Sequence, residues 1–292
     1  MKIKTSISYK IVTVIIYISL TLFALVTLLP VLSILAGSLT SARENLRNPF
    51  ILWPSEPTLD AYRYIFSTNT MPRAMMVTIF ITVCGTAINI VMTTLMAYPL
   101  AHTNLRGRKQ LMLFVTFTML FSGGMIPSYL VVRATGLMNS YLSLMIPSAI
   151  GTFNLILMKN FFQQIPISLE ESAKLDGAND VYILFKIILP LSMAAIATFT
   201  LFYAVGHWNT FMNALLYIND SKKWPLQVLL RQIVIMSKGG IGDESSMGDG
   251  FVIPPQGVKM AAIMFTTGPI LCVYPFLQKH FVKGVMVGSI KG

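Results

Sequence analysis

The sequence predicts an all-α membrane protein with six transmembrane helices, on three observations. Of 292 residues, 54% are hydrophobic and only 11% charged, against about 25% charged in an ordinary soluble domain. The apolar residues come in long runs rather than in the alternation of amphipathic helices or strands. Six of these runs, at 11–36, 74–100, 110–132, 141–160, 187–216 and 258–281, have the length and hydropathy of membrane spans. The mean hydropathy of +0.68 agrees.

The first run comes after Lys2, Lys4 and Lys10, as the core of a secretory signal would. It is too long for one, since a signal core is about 7 to 15 residues, and it reads as an uncleaved first span. The segment "NPFILWPSEPTLD" after it is a loop by its proline and acidic content. In the second run Asn89 is placed to bond another helix. After the loop "LRGRKQ", the third run carries "FSGGMIP" at 121–127, where Gly123 and Gly124 can unwind the helix and expose backbone, or allow close packing. The fifth and sixth runs are separated by "KGGIGDESSMGDGFVIPPQG", another loop.

The net charge of +11 and pI near 9.7 raise the question of nucleic acid, and the position of the charges answers it. With the N-terminus in the cytoplasm, twelve Lys and Arg fall on inner segments, against the acids Glu170, Glu171, Asp176 and Asp180; the outer segments hold ten basic and seven acidic residues. The positive-inside rule therefore predicts both termini in the cytoplasm and accounts for the basic pI without nucleic acid. Cys84 and Cys272 stand alone in apolar segments and read as small lipid-phase side chains. His102, His207 and His280 lack any metal-ligand spacing, so no metal site is expected.

One stretch is foreign to lipid. "SLEESAKLDGAND", 168–180, holds four carboxylates and Lys174, each costing about 2.5–3.5 kcal/mol at a bilayer centre. It must lie outside the membrane, and the charge rule places it in the cytoplasm. Ser168 and Glu171 have the spacing of a capping box. Gly177 can close the helix in the left-handed conformation. Asn179 or Asp180 can cap the helix beyond it, in "VYILFKIILP", with Pro190 a kink or boundary. A helix of about two turns is not stable alone in water, so it needs a partner surface.

At "IPISLEESAKLDGANDVYILFKIILPLS", 165–192, the sequence closely resembles the EAA loop of ABC importer permeases, in the form found in carbohydrate importers. Glu171, Ala173 and Gly177 match the signature, with Ile188, Leu189 and Pro190 downstream; Ser172 replaces the usual first alanine. "FSGGMIPSYLVVRATGLMNS", "FYAVGHWNTFMNALLYI", "PLQVLLRQI" and "YPFLQKHFVKGVMVGSIKG" extend the resemblance over nearly the whole chain, to the oligosaccharide branch that works with lipoprotein-type binding proteins.

The resemblance implies a type I ABC importer permease fold with a cytoplasmic coupling helix, in a bacterial plasma membrane. It implies residues 1–70 as the first helix and an extracytoplasmic segment, 71–284 as a permease core of five helices with the loop at 165–190, and 285–292 as a cytoplasmic tail. Leu169, Glu170, Glu171, Ala173, Asp176 and Gly177 would couple the chain to an ATPase groove. The implied partners are a second permease subunit, two ATP-binding subunits and an extracytoplasmic solute-binding protein. No phosphate-binding loop occurs in this sequence, so no cofactor is expected here and ATP with its Mg belongs to the partner ATPase; the chain is expected to be a transport subunit and not an enzyme.

Polar and aromatic residues inside spans face a bundle interior or cavity by default. The fifth run is the richest, with Tyr203, His207, Trp208, Asn209 and Asn213. Aromatic faces and amides are what a sugar needs, for its C–H surface and its hydroxyls; these residues, with Gly123 and Gly124, form the expected substrate path. Helix packing is the competing role for each. A gradient-driven secondary transporter or channel is the alternative function, opposed by the lack of an embedded carboxylate and of a visible inverted repeat.

Overall fold

A computed structural model describes residues 7–48, 50–236 and 256–289, and among them all regular structure is helical. In chain order the helices are α1 (Ile7–Ser38), α2 (Ala42–Arg47), α3 (Asp60–Ser67), α4 (Thr70–Ala101), α5 (Arg108–Leu120), α6 (Met125–Ala134), α7 (Leu142–Met145), α8 (Thr152–Gln163), α9 (Ile167–Leu175) and α10 (Asp180–Ile183). A π turn (Leu184–Ile188) leads into α11 (Leu189–Leu191), and α12 (Met193–Trp208), α13 (Met212–Tyr217), α14 (Leu226–Met236) and α15 (Gln256–Ser289) complete the order. Most of the expected loop at 238–257 and the last three residues of the expected tail 285–292 lie outside the described residues.

Three stretches are long and apolar enough to cross a membrane, Tyr9–Ser38, Thr70–Ala101 and Gln256–Val273, and two bent helix pairs bring the number to five. The third expected span breaks where its glycines fall: α5 and α6 meet at 118°, and Gly124 takes φ +84. The fourth expected span, 141–160, is not one helix. Ile146 to Gly151, with Pro147 among them, separate α7 from α8, and α8, at 12 residues, reaches only about 18 Å. The fifth, expected over 187–216, is divided at both ends: α10–α11 meets α12 at 85° across Ser192, and Asn209 to Phe211 separate α12 from α13. Pro190 removes a backbone donor and crowds the preceding turn, and the chain meets it with the wider π turn just upstream.

The chain forms two compact units. The first comprises residues 1–69 with 230–268. Most of α1 is uncovered, with no residue of its membrane-length window buried, as a helix apolar on all sides requires of its surroundings. At its end, Asn45 Nδ2 donates to the carbonyls of Gly37 and Thr40 at 2.9 and 3.1 Å. Gly37 lets Met260 of α15 close in, since a Cβ there would overlap the thioether.

The second unit comprises residues 70–229 with 269–292. α12 and α8 pack along α4. Near the N-terminal end of α4, Val77 and Ile81 join Leu144, Met145, Tyr217 and Val228. Near its C-terminal end, Ala97, Tyr98 and Leu100 join Leu155, Met158, Phe162, Ile188 and Phe199. Between these apolar clusters lies a polar layer, where Asn89 and Thr93 of α4 meet Tyr203 and His207 of α12.

Candidate functional site

α9 begins earlier than its capping signal predicts. Pro166 is the N-cap, Ile167 the first helical residue, and no side chain caps the start; proline supplies a φ of −57 already suited to helix entry, so Ser168 falls inside the first turn and the Ser168–Glu171 capping box does not form. The C-terminal end agrees with the sequence. Gly177 takes φ +84, its N–H donates to the Lys174 carbonyl at 3.0 Å, and the Ala178 N–H donates to the Ala173 carbonyl at 2.9 Å. This is a Schellman closure, and the left-handed residue it needs is the glycine. Asn179 Oδ1 then accepts from the Tyr182 N–H at 2.8 Å and starts α10.

Across this turn Lys174 Nζ pairs with Asp180 Oδ1 at 2.9 Å. Its hydrogen bond to Asp180 raises the Lys174 pKa, but both side chains are at least half exposed and such a pair adds about 0–1 kcal/mol. The two faces of α9 differ. Ile167, Leu169 and Leu175 point outward, Leu175 with 90% of its surface exposed, as do Glu171, Asp176 and Gly177. Ala173 packs on the core at the C-terminal end of α4. Glu170 also turns inward, accepting from the Tyr98 hydroxyl at 3.3 Å and facing His102 Nε2 at 2.7 Å.

On α12, Tyr203 and His207 are buried against α4. The Tyr203 hydroxyl bonds Thr93 Oγ1 at 2.7 Å and accepts from the Gly151 N–H at 3.0 Å. His207 Nε2 bonds Asn89 Oδ1 at 2.6 Å, and Asn89 Nδ2 donates to the Ser148 carbonyl. Trp208 and Thr82 line an apolar cavity of about 190 Å³; among the described residues the buried Trp208 indole N–H and Thr82 Oγ1 have no hydrogen-bond partner. Asn209 and Asn213 are exposed, and Asn209 Oδ1 accepts from Gln227 Nε2 at 3.3 Å. Gly123 and Gly124 lie exposed in the break between α5 and α6. Among the described residues no cluster of His, Cys, Asp or Glu could hold a metal.

A family model described as the binding-protein-dependent transport system inner membrane component matches residues 4–287. The chain belongs to this family of importer permeases. It is 57% identical over 277 residues to the polygalacturonan/rhamnogalacturonan transport system permease protein YtcP of Bacillus subtilis, covering 95% of this chain and 97% of that one. It is 55% identical over 267 residues to protein LplC of the same organism, covering 91% and 90%. A crystal structure of a bacterial ABC transporter involved in import of the acidic polysaccharide alginate contains a similar chain, with TM-score 0.86 and 31% identity over 96% of this chain and all of that one.

In this permease the residues singled out from sequence fall into distinct groups. Leu169, Glu171, Asp176 and Gly177 form the outward side of the loop helix, while Glu170 and Ala173 contact the chain's own core. Tyr203 and His207 tie α12 to α4 and α8; Trp208, Asn209 and Asn213 remain partly or fully open. His102 and Tyr98, which sequence reasoning did not connect with the loop, are the side chains that hold Glu170. The only sequence trace of this arrangement is their four-residue separation at the end of a span, which puts both on one helix face.

Proposed function

We propose that this permease subunit carries oligosaccharides inward, with ATP-driven motion reaching it through α9. The observation that carries this reading is α9 itself: a short closed helix, firmly seated on one side, that exposes Ile167, Leu169 and Leu175 on the other. Exposed apolar side chains on a rigid element are suited to a docking groove on another protein. Leu169, Glu171, Asp176 and Gly177 are the contact set, and Ala173 lets α9 lie close on its own core.

On this reading the chain makes six membrane passes with both termini in the cytoplasm. It works with a second, non-identical permease subunit, two ATP-binding subunits and an extracytoplasmic solute-binding protein. ATP and Mg are held by the ATPases, and this chain has no hydrolytic site of its own. Trp208, Asn209 and Asn213, with Gly123 and Gly124, contribute to the sugar path.

The substrate class rests on the relatives. The names of a 57% identical permease and of the alginate transporter both point to uronate-containing polysaccharides, so acidic oligosaccharides are the first substrates to try. The test is ATP-dependent uptake by the complete complex in proteoliposomes, with oligogalacturonides and neutral oligosaccharides compared. Uptake of the acidic series is expected. Uptake by this chain without any ATPase would overturn the reading in favour of a gradient-driven carrier.

A further inference from the structure

Both nitrogens of the His102 ring face acceptors. Nδ1 lies 2.9 Å from the carbonyl of Tyr98, one turn back, and Nε2 lies 2.7 Å from Glu170 Oε2 on α9. A carbonyl and a carboxylate only accept, so the ring donates through the nitrogen that carries hydrogen, and from Nε2 it donates to Glu170. His102 follows directly on α4, which ends at Ala101 and leaves its last carbonyls to be capped.

These last carbonyls are all engaged. That of Tyr98 meets His102, that of Leu100 accepts from Arg108 Nε at 2.8 Å, and that of Ala101 accepts from Gln163 Nε2 at 2.9 Å. Of the three side chains, His102 alone passes the connection on to α9. The Tyr98 and His102 rings meet edge to face at 4.8 Å, which fixes the imidazole plane. Glu170 and His102 side chains are 12% and 28% exposed, so water competes little for their hydrogen bond. The other charges beside them, Lys174 and Asp180, are paired with each other.

The covalent path from α9 into the helical bundle changes direction three times. It runs through the Gly177 turn, the π turn and the 85° bend at Ser192 before α12 begins. The contact between Glu170 and His102 bypasses all three and ends on α4, the helix along which α8 and α12 pack.

We propose that His102 is a positioning residue for energy coupling: through Glu170 it fastens α9 to the C-terminal end of α4, so that displacement of α9 is delivered directly to α4. The inference rests on the reading of α9 as the helix moved by the ATPase, and the test separates the two.

The complete complex is reconstituted in nanodiscs with Cys84→Ser and Cys272→Ser, and carries a fluorescent label either at Ser172→Cys on α9 or at Thr70→Cys at the far end of α4. ATP is expected to change both signals when His102 and Glu170 are intact. With His102→Ala or Glu170→Ala, the α9 signal persists while the α4 response and the sugar imported per ATP fall roughly fivefold or more, the scale of an ordinary coupling energy. His102→Gln, whose amide can still donate to Glu170, recovers part of both. An α4 response unchanged in His102→Ala and Glu170→Ala overturns the proposal, as does His102→Gln behaving no better than alanine. Should His102→Ala fail to assemble, Glu170→Ala decides alone. Absence of the α9 signal in the complex with His102 and Glu170 intact overturns instead the reading on which the proposal rests.

Discussion

Gly85 of α4 lies directly beneath the imidazole of His207. A Cβ at Gly85 would come within 2.6 Å of the His207 Cε1 and Nε2 atoms, and the ring is held there by its 2.6 Å bond to Asn89 Oδ1. The glycine is therefore the space into which a histidine packs, and the histidine is a tie between two helices.

Gly85→Ala is accordingly expected to destabilise the subunit by about 1–3 kcal/mol, the usual cost of overpacking. Thermal unfolding in detergent would measure it. Because the clash and the bond share one ring, combining Gly85→Ala with His207→Ala should cost less than the two single changes added together. Additive losses would show that the ring is not the obstacle.

Tyr203 gives a second test of the same polar layer. Its hydroxyl is the partner of the Gly151 N–H at 3.0 Å and of Thr93 Oγ1 at 2.7 Å, so Tyr203→Phe leaves a part-buried donor unsatisfied, at about 1–3 kcal/mol. The expected outcome is a lower unfolding temperature, with sugar uptake per assembled complex nearly retained. Loss of uptake at unchanged stability would place this hydroxyl in the sugar path instead.

The difference between α12 as expected and as found shows what sequence carries. Apolar runs specify α1, α4 and α15, because a helix long and apolar enough to span has few other stable settings. Gly177 and Asn179 are legible because a left-handed turn and a side-chain cap are local chemistry, and the break at Gly123–Gly124 comes from backbone freedom. The start of α9 departs from its signal: Ser168 and Glu171 have the right spacing, but Pro166 sets the entry two residues earlier. Tyr203 and His207 are polar residues on a span whether they face a path or another helix, and their bonds to Thr93 and Asn89 leave no mark in the sequence. The approach of His102 to Glu170, 68 residues apart, leaves no periodic signal at all.

Gly177 is a test of geometry as distinct from contact. Its φ of +84 strains any L side chain, by about 1–2 kcal/mol where no local bonding compensates. Among the described residues nothing lies within 4 Å of a Cβ placed there, so strain within this chain, and not a clash, sets the cost. Gly177→Asn, which tolerates left-handed backbone, should keep substrate-stimulated ATP hydrolysis in the assembled complex closer to the starting level than Gly177→Ala does. Equal losses in both would point to a docking surface that admits no side chain.

Trp208 is where packing and transport make opposite predictions. Among the described residues its indole N–H is buried without a partner, as is the hydroxyl of Thr82, whose residue lines the same apolar cavity. Buried donors in folded proteins are almost always satisfied, and on the proposed sugar path a substrate hydroxyl becomes the partner once the ring turns toward the sugar. Trp208→Phe keeps an aromatic face and removes the donor. If the indole only filled space, losing an unsatisfied N–H would be neutral or stabilising and uptake would track the amount of complex. With the N–H serving sugar, uptake and substrate-stimulated hydrolysis fall severalfold while the unfolding temperature stays the same or rises. The measurement is uptake normalised to assembled complex, beside thermal unfolding of the same preparation. Full uptake in Trp208→Phe would remove the indole N–H from the path and leave the exposed amides of Asn209 and Asn213 as the polar contacts on this side.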